Sequence, residues 1–464
     1  MVFSSLIFIW LFLPVTLVLY FVIKDEYRNA LLLIVSLIFY AWGEPIYIIL
    51  MLCSILLNWL IGMAMERYER KKKELLILDI VLNLGMLGYF KYFNFFLRIV
   101  YNIAGKEYTE LDISLPIGIS FFTFQILSYI IDLYRGKYSA QKNLIHLALY
   151  ISFFPQLIAG PIVKYKDIND QLIHRETNPG KTAEGIRRFI YGMGKKVIVS
   201  NILAECVDAV YELEFYDLTG VLAWTAAIMY MLQIYYDFSG YSDMAIGLGR
   251  MFGFEFQENF NYPYLSTSIR EFWQKWHISL GTWFKEYVYI PLGGNRKGTA
   301  RTYLNLAIIF VLTGLWHGAN LTFVLWGIYH GMFQIIERLG LGAYLNRHKW
   351  LGHIYTCVVV LFGWVLFRSD NLIQAGVMVR RMLLPFEYTE TTLLVAKVFG
   401  GKQILIAVIG ILGCGIIQTV ASHTNCLMKF KRSWVEIAGC SLMMILCIAM
   451  LANNTYNPFI YFRF

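Results

Sequence analysis

Charge is what this chain has least of. Asp, Glu, Lys and Arg make up only 15% of its 464 residues against 58% hydrophobic residues, and none of the four occurs from Tyr303 to Ile336. A soluble globular core has no use for so much apolar surface, so a soluble fold is excluded and an all-α polytopic membrane protein is expected. Cysteine is sparse as well. Cys53, Cys206, Cys357, Cys414, Cys440 and Cys447, six of the seven, fall in apolar segments without a CxxC or a pairing spacing, which argues against a disulfide framework or a zinc site. No P-loop, HExxH or GxSxG occurs, and Gly247-Leu248-Gly249 neither follows a strand nor carries the third glycine of a dinucleotide fingerprint. Basic residues form no stripe beyond what membrane topology explains, so nucleic acid is not a partner. No long polar linker or internal repeat divides the chain, and residues 1–464 read as a single integral-membrane domain. Met1 to Ile23 has no basic start and no small-residue cleavage site, and reads as a retained first span rather than a signal peptide.

Apolar runs predict about twelve crossings, among them Phe189–Tyr211, Val221–Asp237, Tyr303–Trp316, Leu321–Ile336, Ile404–Val420 and Val435–Leu451. The connections Arg67–Lys73, Arg135–Lys142, Lys164–Lys196, Arg270–Arg301, Arg338–Lys349 and Lys429–Arg432 are basic, whereas Lys106–Asp112 and Glu212–Asp217 lean acidic. Basic connections kept in the cytoplasm alternate with the acidic ones and put both termini outside; Ser369–Lys402, with Arg380 and Arg381, runs against the pattern.

Two segments fit no simple span. His146–Pro161 is apolar but bounded by prolines between basic connections, which predicts a re-entrant or in-plane piece whose irregular backbone is shielded by protein. Ser268 and Glu271 give a capping-box signature for a helix over Ser268–Tyr287, with Trp273, Trp276, His277, Leu280 and Phe284 on one face and Lys275 and Lys285 opposite, at the cytoplasmic interface or dipping into the bundle.

Two histidines stand out for chemistry, because titratable groups at membrane depth are expensive to keep. His317 lies in Thr313-Gly314-Leu315-Trp316-His317-Gly318, and helical spacing puts Thr313, Gly314, His317 and Gly318 on one face, where glycine lets a ligand or a backbone approach the ring. A neutral imidazole there accepts a proton from a substrate hydroxyl. Spacing alone fits equally a histidine that hydrogen-bonds between packed helices. For His277 the residue pattern favours the plainer role, a polar edge on a Trp-rich interfacial helix. His330 reads as structural or as a support to His317. Asp237 and Asp243 invite pairing with a basic loop or with His277, although a span-ending turn with a solvated carboxylate is preferred for Asp243.

The ordered blocks Tyr236-Asp237-Phe238-Ser239-Gly240-Tyr241-Ser242-Asp243, Asn259-Phe260-Asn261-Tyr262-Pro263, Trp273-x-x-Trp276-His277-Ile278-Ser279, Tyr289-Ile290-Pro291-Leu292-Gly293-Gly294, Gly314-Leu315-Trp316-His317-Gly318-Ala319 and Trp326-Gly327-x-x-His330-Gly331 resemble the membrane-bound O-acyltransferases. Phe154-Pro155-Gln156 and the ending Phe459-Ile460-Tyr461-Phe462-Arg463-Phe464 resemble that family's bacterial branch of alginate O-acetyltransferase and teichoic-acid D-alanyl transfer proteins. The resemblance implies a core over about 115–370, and a ring of about twelve tilted transmembrane helices with re-entrant and interfacial pieces around a central tunnel. It maps the family histidine onto His317 and the second onto His277 as catalytic residues. It also implies a bacterial inner-membrane enzyme with no permanently bound cofactor and no metal. Such an enzyme takes an acyl group from acetyl-CoA or a similar thioester on the cytoplasmic side and passes it toward an external polysaccharide, often through an SGNH-hydrolase-like partner. D-alanyl transfer, a proton-coupled transporter or flippase using His317 as relay, and an inert scaffold are the alternatives. The basic loops Lys164–Lys196 and Lys285–Arg301 offer phosphate steering, which topology alone does not require.

Overall fold

The structure, a computed structural model, describes residues 1–384, 399–424, 434–453 and 456–460. The basic connection Lys429–Arg432, part of Ser369–Lys402 and the last four residues of the C-terminal block lie outside the described residues. Among the described residues all regular structure is helical, and one isolated antiparallel bridge pairs Phe260 with Trp276. Among the described residues six helices are long and apolar enough to cross a membrane: Tyr47–Arg67, Glu69–Ile103, Thr299–His317, Lys349–Arg368, Gly401–Val420 and Trp434–Asn453, with shorter apolar helices at Phe8–Val22 and Ile119–Tyr134. The protein is therefore a multi-pass membrane protein. Burial sorts these helices. Trp434–Asn453 covers 11% of its apolar window inside the protein and Lys349–Arg368 covers 50%, so the former is a lipid-facing element and the latter an inner wall.

One expected span is broken because its backbone bulges: Phe189–Tyr211 is split by a π-helical turn at Lys195–Ser200, whereas Leu321–Ile336 is helical over its expected length and only then passes into a π-helical turn at Glu337–Leu341. Conversely, the helix expected to stop at Asp237 continues unbroken over Gly220–Met251. Neither Asp237 nor Asp243 sits in a span-ending turn, and the reading of Asp243 as a solvated carboxylate is corrected. It accepts two hydrogen bonds from the Arg188 guanidinium, at 3.0 and 2.9 Å.

The chain divides into two compact units, residues 1–189 with 242–257 and residues 190–241 with 258–464. In the first, Phe3, Phe8, Phe12, Phe39 and Phe154 pack ring on ring. The segment expected to be irregular is so: helix Leu144–Ser152, a short turn of helix at Phe154–Leu157, then extended chain, with every residue from Leu147 to Tyr165 buried. Its polar backbone is satisfied internally; Tyr150 Oη, for example, donates to the Val163 carbonyl at 3.0 Å.

The second unit holds both candidate histidines. Thr299–His317 and Leu321–Ile336 form a tight helical hairpin, its second helix capped by Asn320, whose side chain accepts from the Thr322 N–H. Two glycines set the spacing. A Cβ on Gly314 would lie 2.3 Å from the Phe323 carbonyl oxygen, and one on Gly327 would lie 2.2 Å from the Phe310 oxygen and 3.3 Å from Gly314 Cα. The two backbones touch where side chains ordinarily intervene. Deeper in the same unit Asp237 is locked by Lys196 Nζ at 2.5 Å and the Ile460 N–H at 2.9 Å.

Gly327→Ala is expected to force the hairpin apart at a cost of about 1–3 kcal/mol. Gly376→Ala, in a helix where an added Cβ meets nothing within 4 Å, is expected to be neutral or stabilising by up to about 1 kcal/mol. Thermal unfolding of both variants in detergent checks this pair.

Candidate active site

The helix expected over Ser268–Tyr287 is two helices. Ser268 caps the first as read from the sequence, its Oγ accepting from the Glu271 N–H at 3.1 Å. The Glu271 carboxylate reaches back to the Thr267 N–H at 2.8 Å, one residue earlier than a capping box requires. Ile269–Lys275 then stops, His277 takes a left-handed conformation (φ 46°, ψ 54°), and Ile278–Phe284 begins. The cause is the segment over Asn259–Asn261. Asn261 N–H donates to the Lys275 carbonyl and Ile278 N–H to the Asn259 carbonyl, both at 3.0 Å, so a strand-like pairing replaces helical bonds at the break. A non-glycine residue held at positive φ is strained and persists only where its surroundings impose it.

Those surroundings also fix the His277 ring. Asn259 Oδ1 accepts from Ser279 N–H at 3.2 Å and Ser279 Oγ at 2.8 Å, and lies 3.2 Å from His277 Nδ1. A carbonyl oxygen only accepts, so this network assigns the proton to Nδ1 and leaves the lone pair on Nε2. The ring is 1% exposed, with Phe238 edge-on at 4.6 Å. Burial, in a segment outside the apolar spans, pushes its pKa down to about 3.

His317 is the last residue of its helix, and Gly318 leaves in extended conformation. The face expected to run through Gly318 therefore ends at His317, and the Thr313 hydroxyl is turned onto its own helix, donating to the Ile309 carbonyl at 2.8 Å. The His317 ring is 4% exposed. It sits among Trp316, Trp326 and Phe367, with centroids at 5.0, 5.1 and 5.1 Å. The Trp316 ring also touches His277, at 5.7 Å. Forty residues apart in sequence, the two histidines thus share one indole. His330 lies beyond Trp326 at 5.2 Å, packed against Trp273 and Tyr329, and neither of its ring nitrogens has a hydrogen-bond partner among the described residues. Asp237 is engaged by Lys196.

Sequence reasoning missed Asn259 as the residue that sets the His277 tautomer. Its motif was visible, but nothing local links residue 259 to residues 277 and 279. It also missed Arg368, whose guanidinium stands 2.6 Å from Asp208 and 3.7 Å from Asp370 at the end of the Lys349–Arg368 helix. No cluster of three or more His, Cys, Asp or Glu able to hold a metal ion occurs among the described residues.

The membrane-bound O-acyltransferase family model matches residues 2–369. The chain is similar to the probable alginate O-acetylase AlgI of Pseudomonas aeruginosa, 48% identical over 383 residues that cover 80% of this chain and 73% of that protein. It is 41% identical to the probable alginate O-acetylase AlgI of Pseudomonas putida over the whole of both chains. It is 35% identical to the peptidoglycan O-acetyltransferase of Helicobacter pylori over 81% of this chain and 78% of that one.

An imidazole that stays neutral in the folded protein down to about pH 3, but titrates near 6.5 when unfolded, makes the unfolded chain bind more protons between those values. Its contribution is complete above pH 6.5 and falls as the pH drops toward 3, by up to roughly 1.4 kcal/mol per unit. His277→Asn is expected to flatten that slope in denaturant unfolding measured from pH 7 to 4. An unchanged slope contradicts the assignment.

Proposed function

The chain belongs to the membrane-bound O-acyltransferase family, and on that premise we propose that it is an O-acetyltransferase of a cell-envelope polysaccharide, with a cytoplasmic acyl thioester such as acetyl-CoA as donor. The observation that carries the reading is the shared indole: two buried imidazoles, brought from distant segments to one ring, both inside the family-matched residues. His317 acts as general base. As the acceptor oxygen attacks the thioester carbonyl, the hydroxyl proton passes to the imidazole; the tetrahedral intermediate then collapses, the C–S bond breaks, and the departing thiolate takes the proton. His277, with its lone pair on Nε2, suits a proton acceptor that orients a donor or acceptor group. Stabilising an oxyanion requires the other tautomer, which the Asn259 contact disfavours.

With this goes the finer architecture: about twelve tilted helices around a central tunnel in the bacterial inner membrane, opening to the cytoplasm for the thioester and outward to the polysaccharide, with an SGNH-like protein as partner. The lipid-facing helices and the shielded break at residues 153–161 support it. Family chemistry of this kind needs an acyl donor and no metal ion.

His317→Ala is expected to lower thioester turnover by the purified protein in liposomes by about 10²- to 10⁴-fold with its unfolding temperature retained. A folded variant of normal activity defeats the assignment. His277→Ala is expected to lose a comparable factor, and His277→Gln less. Comparing acetyl with D-alanyl thioesters in the same assay identifies the acyl group, and movement of unmodified acceptor across the membrane without thioester consumption would identify a transporter instead.

A further inference from the structure

The helix Ile269–Lys275, which runs up to the strained backbone of His277, has only seven residues. Helices shorter than about 12 residues are marginal by themselves, so contacts from elsewhere must hold this one at each end. At its end the pairing with Asn259–Asn261 does so. Its start raises the same question, because the first N–H groups of a helix have no partner inside it. The Glu271 N–H goes to the Ser268 hydroxyl. The two before it go to a single side chain from another helix: Ile269 N–H donates to Glu337 Oε1 at 2.5 Å, and Arg270 N–H to Glu337 Oε2 at 3.0 Å.

Glu337 is 7% exposed and is the first residue past Leu321–Ile336, the second helix of the hairpin whose first helix ends at His317. A carboxylate is rarely buried so far unless its oxygens are bonded. Here each oxygen takes one N–H of the same helix terminus, where the helix dipole also favours negative charge. The short helix lies on the hairpin through Trp273 as well, whose ring meets Phe310, Trp326 and His330 with centroids at 5.5, 5.4 and 5.1 Å. Ring packing sets the separation of the two elements, and two directed hydrogen bonds to one carboxylate set their register. A closed loop of contacts results. It runs from His317 along the hairpin to Glu337, through Ile269–Lys275 to His277, and back across the shared Trp316 ring.

We infer that Glu337 is a positioning residue for acyl transfer: it clamps the start of the helix that delivers His277 onto the end of the hairpin that carries His317, and so fixes the two imidazoles relative to each other. It acts through the backbone at residues 269 and 270 and not at the reacting atoms. The inference rests on the acyltransferase reading and on the role given there to His277.

The test is steady-state turnover of acetyl-CoA by the purified full chain in liposomes. Glu337→Ala is expected to lower kcat about 30- to 100-fold, the scale on which a misplacement of ~1 Å acts, with KM for acetyl-CoA within about twofold of wild type. Glu337→Gln keeps the shape and one acceptor oxygen; it is expected to lose less, about tenfold, and it serves as the test if the alanine variant does not fold. The decisive comparison separates positioning from a purely structural role. In a His277→Ala background, either substitution at Glu337 is expected to lower kcat by less than about twofold further, because nothing is left to position. A folded Glu337→Ala or Glu337→Gln with wild-type kcat, or a full effect retained in the His277→Ala background, overturns the inference and leaves acyl transfer standing. Wild-type kcat in His277→Ala removes the inference together with the role of His277. Absence of acetyl-CoA turnover by the wild-type protein overturns the acyltransferase reading as well.

Discussion

Two glycines, Gly314 and Gly327, bring the backbones of neighbouring helices into contact, and the positions of the rings around His317 follow from it. Helices packed through side chains stand 8–10 Å apart; at this point nothing larger than hydrogen separates them. The close approach sets Trp326, one residue before Gly327, edge-on to His317, three residues after Gly314. Phe367, near the end of the Lys349–Arg368 helix, closes the other side. The hairpin is thus a mount for aromatic surfaces, and the imidazole is packed on three rings.

His277 is held in the opposite manner. Its helix is interrupted, its backbone is strained at positive φ, and its ring is fastened by a side-chain amide from eighteen residues away. A site that combines a packed imidazole with a tethered one gives each a separate determinant, one steric and one electrostatic. Both rings touch Trp316.

Much of this was legible in the sequence, and the remainder was not, for physical reasons. Membrane character and the helical hairpin follow from apolar runs without charge, which are local properties. The shielded break at residues 153–161 follows from its prolines. The interruption at His277 has no local signal: Trp273, Trp276, Leu280 and Phe284 keep helical spacing, and only the pairing with Asn259–Asn261 opens the backbone. Likewise the carboxylate of Asp243 looked like the end of a span because charge usually marks one, whereas the helix absorbs it by pairing with Arg188. Periodicity reads what neighbours in sequence do, and these two departures are set by residues outside the local window.

The hold of Asn259 on the His277 ring places the choice of which nitrogen bears hydrogen outside the helix that carries the histidine. A homologue that lost the amide oxygen at this position would let the ring interconvert between its two neutral forms, spreading its basicity over both edges. Positions 259 and 277 should accordingly drift as a couple over evolution, and a swap at one without the other would cost the enzyme direction before it cost it structure.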